Sequence, residues 1–227
     1  MEFPESVVVL GAGGMAAIVY WQLRETTAVK DVIFVEDESD RTEIDLGDHV
    51  APVLKTFDLQ AARRGSRLPA DKAFQHFTLA VSYPHYKRRF VEKALAAGLR
   101  PAPTLIHPTA QFSGPVQLEP GGLITHYTSV LPLSKIGAYV TIAPHVSVGH
   151  HCTLGQYSFL APGSHVLGDV ELGEGVWVGG AACVRGHLRV APWVKIGLQA
   201  AVTSSVSESG IVVAGVPHRK LADAWHD

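Results

Sequence analysis

From Ile106 onward every sixth residue is apolar: Ile106, Phe112, Leu118, Ile124, Val130, Ile136, Ile142, Val148, Leu154, Leu160, Val166, Leu172, Val178, Val184, Val190, Ile196 and Val202. With about half of all residues apolar, seventeen chance hits have a probability on the order of one in a hundred thousand, so the period is built in. The residue after each is repeatedly Gly or Ala, as at Gly137, Gly149, Gly155, Gly173 and Gly197, and the fourth after is small or Val, as at Val140, Cys152, Ser158 and Ala182. A period of six fits neither a 3.6-residue helix nor hairpins set off by turn signals. It predicts a parallel β-helix in which each hexapeptide is one flat side of a triangular coil and its aliphatic residue points inward. Seventeen hexapeptides make about 5.7 coils of eighteen residues, a prism roughly 27 Å tall at ~4.8 Å per strand. The phase holds from 106 to 202, which predicts coils with no long loop between them.

The first hundred residues carry a different pattern. SVVVL (6–10), DVIFVED (31–37), APVLK (51–55) and FTLAVS (77–82) read as buried strands; Met15 to Arg24 and Tyr86 to Ala97 read as helices. Their βαβ order predicts a small, parallel, Rossmann-like sheet, about half of a full dinucleotide fold. Pro101, Pro103 and Pro108 mark the junction. The expected fold class is therefore an α/β unit followed by a β-helix, divided as 1–102, 103–210 and a capping tail at 211–227. The tail is expected to run as a strand, a turn at Val216-Pro217 and a short helix that shields the open end of the prism from edge pairing.

Composition narrows the function. The 227 residues are 47% apolar and carry a formal charge of −2 with scattered basic residues, which argues against disorder and against nucleic acid. No apolar run approaches the roughly 20 residues a membrane helix needs, and MEFPES opens with acids where a signal peptide needs basic residues. Cys152 and Cys183 form neither a framework nor a CxxC site. The expectation is a soluble, cytoplasmic protein.

Two places carry candidate chemistry. Gly11-Ala12-Gly13-Gly14 lies between a strand and a helix, where backbone N–H groups can cradle phosphate, and Glu36 follows Gly13 by 23 residues, near the spacing of a ribose-binding acid. With only half of a dinucleotide fold present, a nucleotide bearing a sugar fits better than NAD. In the prism, residues eighteen apart stack. His150 is followed in its column by Gly168, Gly186 and Ser204, a histidine at the head of a groove kept clear of side chains, with glycine N–H groups exposed to an extended ligand. Tyr139, Tyr157, Gly175 and Trp193 form an aromatic column that suggests a subunit interface. His151, Asp169 and His187 form a third, paired or merely solvated. Cys152 sits at a small packing position.

Together, Gly11-Ala12-Gly13-Gly14, Leu105-Ile106-His107-Pro108-Thr109-Ala110, the segment Ser147 to Gly155 and Gly215-Val216-Pro217 resemble the PglD/NeuD-type nucleotide-sugar acetyltransferases over nearly the whole chain. The resemblance implies a homotrimer and a left-handed β-helix joined to a nucleotide-sugar-binding domain, with acetyl-CoA as cosubstrate. It implies that His150 takes the proton from the sugar amine and that the N–H of Gly168 meets the thioester carbonyl. It places nucleotide contacts at Gly11, Gly13, Gly14, Glu36 and Asp37. Imidazole suits the task, since its ordinary pKa near 6.5 leaves it free to accept a proton at neutral pH. Acetyl-CoA is expected along His150, Gly168 and Gly186, its nucleotide end toward the tail, where His218, Arg219 and Lys220 can meet phosphate. At three places the chain departs from the family pattern. His151 replaces an acid after the base, Phe159 replaces a second histidine near acetyl-CoA, and Met15 and Ala17 replace a histidine and a basic residue after the glycine turn. These departures point to an altered substrate or a weakened enzyme. Two other readings stay open: a γ-carbonic-anhydrase-like metal-dependent hydratase using His145 and His150 with His107 or His126, and a non-catalytic trimeric module. The nucleotide, the sugar, and N- against O-acetylation are not set by these residues.

Overall fold

The computed structural model describes residues 3–55 and 74–224. Its first part runs β1 (Ser6–Leu10), α1 (Gly14–Thr26), β2 (Asp31–Val35), β3 (Glu43–Asp45), β4 (Val50–Leu54), β5 (His76–Leu79), α2 (Pro84–Ala96) and β6 (Arg100–Pro101). The sheet order is β3-β4-β2-β1-β5-β6, parallel throughout except for the β3–β4 hairpin. Val7, Val8, Val9 and Leu10 are at most 1% exposed, as a strand covered on both faces requires. Hydrophobic periodicity missed β3 and β6: one is three residues with a single buried side chain, and the other ends on a proline at the sheet edge.

The second part is the prism. Two-residue strands recur every six residues from β7 (Leu105–Ile106) to β23 (Ala201–Val202), and the register steps by eighteen throughout, as in Ser129 on Ser147, Ser147 on His165 and His165 on Cys183. The strands stack into three parallel sheets, one per side. From Ile124 to Val202 each sixth residue is at most 3% exposed; Ile106, Phe112 and Leu118 lie at the open lower end and are partly or largely exposed.

The corners repeat as strictly as the strands. The residue three beyond each inward aliphatic has positive φ at every corner from Gly121 to Gln199, in most cases without being glycine (Tyr139, φ 62°; His151, φ 56°; Asp169, φ 60°). The residue before it gives no N–H to the ladder, whereas its neighbours on both sides do (Gly149 to Val166, His151 to Pro132). Pro120, Pro132, Pro144, Pro162 and Pro192 all occupy that position, where a missing donor costs nothing. His150, Gly168 and Gly186 occupy it too.

The tail differs from its expected form. Ile211–Ala214 (β24) adds in parallel to β22 (Lys195–Ile196), and Ile211 and Val213 complete the core at the upper end. Where a short helix was expected, Arg219–Asp223 (β25) turns back antiparallel on β24. The polar residues there alternate too weakly to announce a strand, and the free edge of β24 sets their conformation.

The aromatic column also has a different role. Tyr139 and Tyr157 are stacked at 5.2 Å and are at most 9% exposed, because β5 and α2 of the same chain cover them. Phe77 stacks on Tyr139, and Arg88 lies over Trp193. The column joins the two parts of one chain, so these rings are spent on an internal junction and do not form the subunit interface expected of them. Lys87 of α2 is wholly buried at this junction, its Nζ donating to the carbonyls of Tyr139 and Ser158 at 3.0 Å and lying 2.8 Å from Thr141 Oγ1. Burial holds its pKa well below 10.5. On the other side, Gln22 of α1 donates to the carbonyl of Ile124 at 2.9 Å.

Candidate functional site

The glycine turn opens on a cavity of about 410 Å³ lined by Gly13, Gly14, Met15, Glu36, Ser82 and Tyr86, with Gly11, Glu38, Ala80, Val81 and Phe90 completing it. Its three glycines are there for two reasons. Gly11 has φ +103°, and a Cβ there would meet the carbonyl of Ala80 at 2.9 Å, so the turn requires it. Gly13 and Gly14 have neither constraint; a Cβ on either would project into open space. Their bareness keeps the mouth of α1 open. That helix has no side-chain cap and no acid in its first turn, so its leading N–H groups are available to an anion. Glu36 is held by the N–H of Ala12 at 3.3 Å and of Glu38 at 2.9 Å, one carboxylate at the cavity rim. Asp37 is not part of the rim: its side chain is 5% exposed and pairs with Lys93 at 2.6 Å. Glu38, in the loop after β2, takes the place at the cavity expected of Asp37. Ser82, Tyr86 and Phe90 were not legible in the glycine motif, because β5 and α2 bring them in from fifty residues away or more.

At the prism corner, the imidazole of His150 lies against Gly168. A Cβ on Gly168 would stand 2.6 Å from both Cε1 and Nε2 of the ring. The glycine thus makes room for the histidine itself, not only for a ligand running up the column. The N–H of Gly168 donates to no residue among those described, and the same holds for Gly186. An imidazole and an unused backbone donor therefore stand side by side. Gly186 is less free than the spacing suggested. A Cβ there would press on the carbonyl of Gly168 at 2.9 Å, so a Gly186→Val change disturbs the corner as well as the groove.

Around His150, His151 Nδ1 lies 3.0 Å from its Nδ1 and Asp169 Oδ2 lies 3.6 Å away. These three residues are the one group among the described residues able to share a metal ion; His145, His107 and His126 are not in it. Phe159 is not in the column of His150. It is 6% exposed beneath α2, stacked on Trp177 with Lys87 Nζ 5.6 Å from its ring centre. At the upper end, His218 Nδ1 accepts the N–H of Thr203 at 3.3 Å, so the tail reaches the end of the glycine column away from His150. Lys220 is committed to Glu208 and Asp223, and Arg219 is exposed.

No family model matches the chain. The acetyltransferase domain of PglB from Neisseria gonorrhoeae, solved with acetyl coenzyme A, is 27% identical, with a TM-score of 0.81 over 96% of this chain and 99% of that one. A histidine-to-asparagine mutant of perosamine N-acetyltransferase from Caulobacter crescentus, in complex with CoA and GDP-perosamine, shares the fold at a TM-score of 0.83 over 98% and 100%, with 24% identity. GDP-perosamine N-acetyltransferase of Escherichia coli O157:H7 is 26% identical over 111 residues, 49% of this chain and 50% of its own length. The chain spans half or less of the length of the curated relatives it matches.

Proposed function

We infer that this chain, which has the fold of the hexapeptide left-handed β-helix nucleotide-sugar acetyltransferases over nearly its whole length, moves an acetyl group from acetyl-CoA to the amine of a nucleotide-linked amino sugar. The observation that carries this reading is the imidazole of His150 packed on Gly168, whose N–H is unused among the described residues, in a chain that also holds an open glycine cradle. Residues 1–102 bind the nucleotide, 103–210 carry the chemistry, and 211–227 close the prism. His150 Nε2 removes the proton that a sugar ammonium must lose, and the amine attacks the thioester carbon. The N–H of Gly168 meets the resulting oxyanion; as the C–S bond breaks, the proton on His150 passes to the CoA thiolate and the second proton on the attacking nitrogen is lost to water, leaving the amide. Relatives that act on GDP-perosamine or bind CoA support both substrates.

The test is release of free thiol from acetyl-CoA with GDP-linked and UDP-linked amino sugars offered in parallel. Turnover with none of them, in a folded protein, would favour the non-catalytic reading. The cradle is tested by Gly13→Val, which the open space around Gly13 admits without a clash. Nucleotide affinity should fall at least about tenfold, and the melting temperature without ligand should be unchanged.

Acetyl-CoA runs along the column from His150 toward His218 and Arg219. A convex corner cannot enclose such a ligand alone, so the working form is a homotrimer with each groove closed by a neighbour. Light scattering at micromolar concentration should give three times 24.3 kDa; a monomer would exclude it. No described helix is long and apolar enough to cross a membrane.

A further inference from the structure

A histidine that accepts a proton at Nε2 must carry its other proton at Nδ1, and the positive charge it acquires needs an anion behind it. Nε2 of His150 is on the Gly168 side of the ring. Behind it, Nδ1 faces two side chains, His151 at 3.0 Å and Asp169 at 3.6 Å. His151 can accept the Nδ1 proton in one tautomer but brings no negative charge. Asp169 is the one carboxylate among the described residues within 4.0 Å of His150, and it is fixed from two directions. Its N–H donates to the carbonyl of His150 at 2.8 Å, and its φ of 60° places it at the corner one coil above His151. Aspartate adopts that backbone region more readily than most residues. Its other neighbour is His187, whose Nδ1 is also 3.6 Å away.

We propose that Asp169 is the positioning residue of the acetyl transfer: its carboxylate, supplied from the next coil, keeps the proton on His150 Nδ1, holds the ring over Gly168, and balances the imidazolium formed when the amine is deprotonated. The proposal rests on the reading of His150 as the base. It accounts for a sequence with histidine, not an acid, directly after that base: the acid stands eighteen residues on from His151, diagonally across the corner.

The experiment is kcat and kcat/KM against pH for the full chain and for Asp169→Asn, Asp169→Asn with His151→Asp, and His150→Asn, each checked for an unchanged melting curve. Asp169→Asn should lower kcat roughly tenfold to a thousandfold, less than for a buried orienting carboxylate because this site is open to water. Acetyl-CoA affinity should be unchanged. Removing an anion beside an imidazole eases loss of its proton, so the acid limb of the profile should move to lower pH. A purely structural role would leave that limb in place. His151→Asp, at a position whose present side chain lies 3.0 Å from His150, should restore most of the loss. Wild-type kcat and an unmoved limb in Asp169→Asn, with His150→Asn inactive, would overturn the positioning role and leave the base standing. Full turnover in His150→Asn would overturn both. Activity lost to a chelator and restored by zinc would also overturn it, since the same three side chains would then be an ion's ligands.

Discussion

His150→Asn is expected to lower turnover by about 10²–10⁴, the range a positioned general base contributes, and to leave the Kd for acetyl-CoA close to that of the parent. The amide keeps the polarity of the corner but cannot accept a proton from an ammonium. The ring lies against Gly168, and a smaller side chain there leaves the N–H of Gly168 in place to bind the thioester carbonyl. The loss should therefore fall in kcat, not in cosubstrate binding. His151→Asn should cost much less, as His151 touches only the far nitrogen. Steady-state rates with isothermal titration of acetyl-CoA check both. If His151 proved indispensable and His150 dispensable, the groove would be on the wrong side of the corner.

The largest effect on stability is expected at Lys87. Lys87→Ala removes a fully buried four-carbon stem and leaves the carbonyl of Tyr139, to which no other described residue donates, without a hydrogen bond. A buried cavity and an orphaned acceptor together are worth about 3–5 kcal/mol. Lys87→Met refills the space but not the hydrogen bonds, and should cost less. The pH dependence identifies the amine. The unfolded chain holds the lysine proton up to about its ordinary 10.5, whereas burial lowers the folded value well below it. In the window between the two the unfolded state binds more protons, so stability rises with pH and is lowest on the acid side. Denaturant midpoints should climb from neutral pH toward about 10 in the parent and lose that slope in Lys87→Met. An unchanged slope would mean that some other group carries it.

The legible parts of this chain are those in which one hexapeptide suffices. The inward aliphatics, the eighteen-residue register and the pairing of His150 with Gly168 all follow from counting, because each coil repeats its neighbour. What counting could not supply came from elements packed across the repeat. Tyr139 and Tyr157 read as exposed until α2 is laid over them, and Lys87 reads as a residue of a polar helix face until that helix is docked. Phe159 falls at a ligand position in the family pattern, but the same helix buries it. Asp169 was visible as the column partner of His151, yet its approach to His150 is diagonal and no column shows it. One signal was present and unused. Six prolines, from Pro108 to Pro192, share the hexapeptide position of Gly168, which marks that N–H as dispensable to the ladder and thus available to a ligand.

The uninterrupted register has a consequence for how such a chain can change length. Each hexapeptide turns the chain by one side of the triangle, so losing or gaining six residues between 106 and 150 would carry His150, Gly168 and everything after them to the next corner, away from the groove's present neighbours. The coils could still pair and bury their aliphatics, since all three sides obey one rule. Losing or gaining eighteen would keep every residue on its own corner and move it along the axis by only ~4.8 Å. Insertions and deletions in this half of the chain are thus quantised: multiples of six preserve the fold, and only multiples of eighteen preserve the direction in which the site faces.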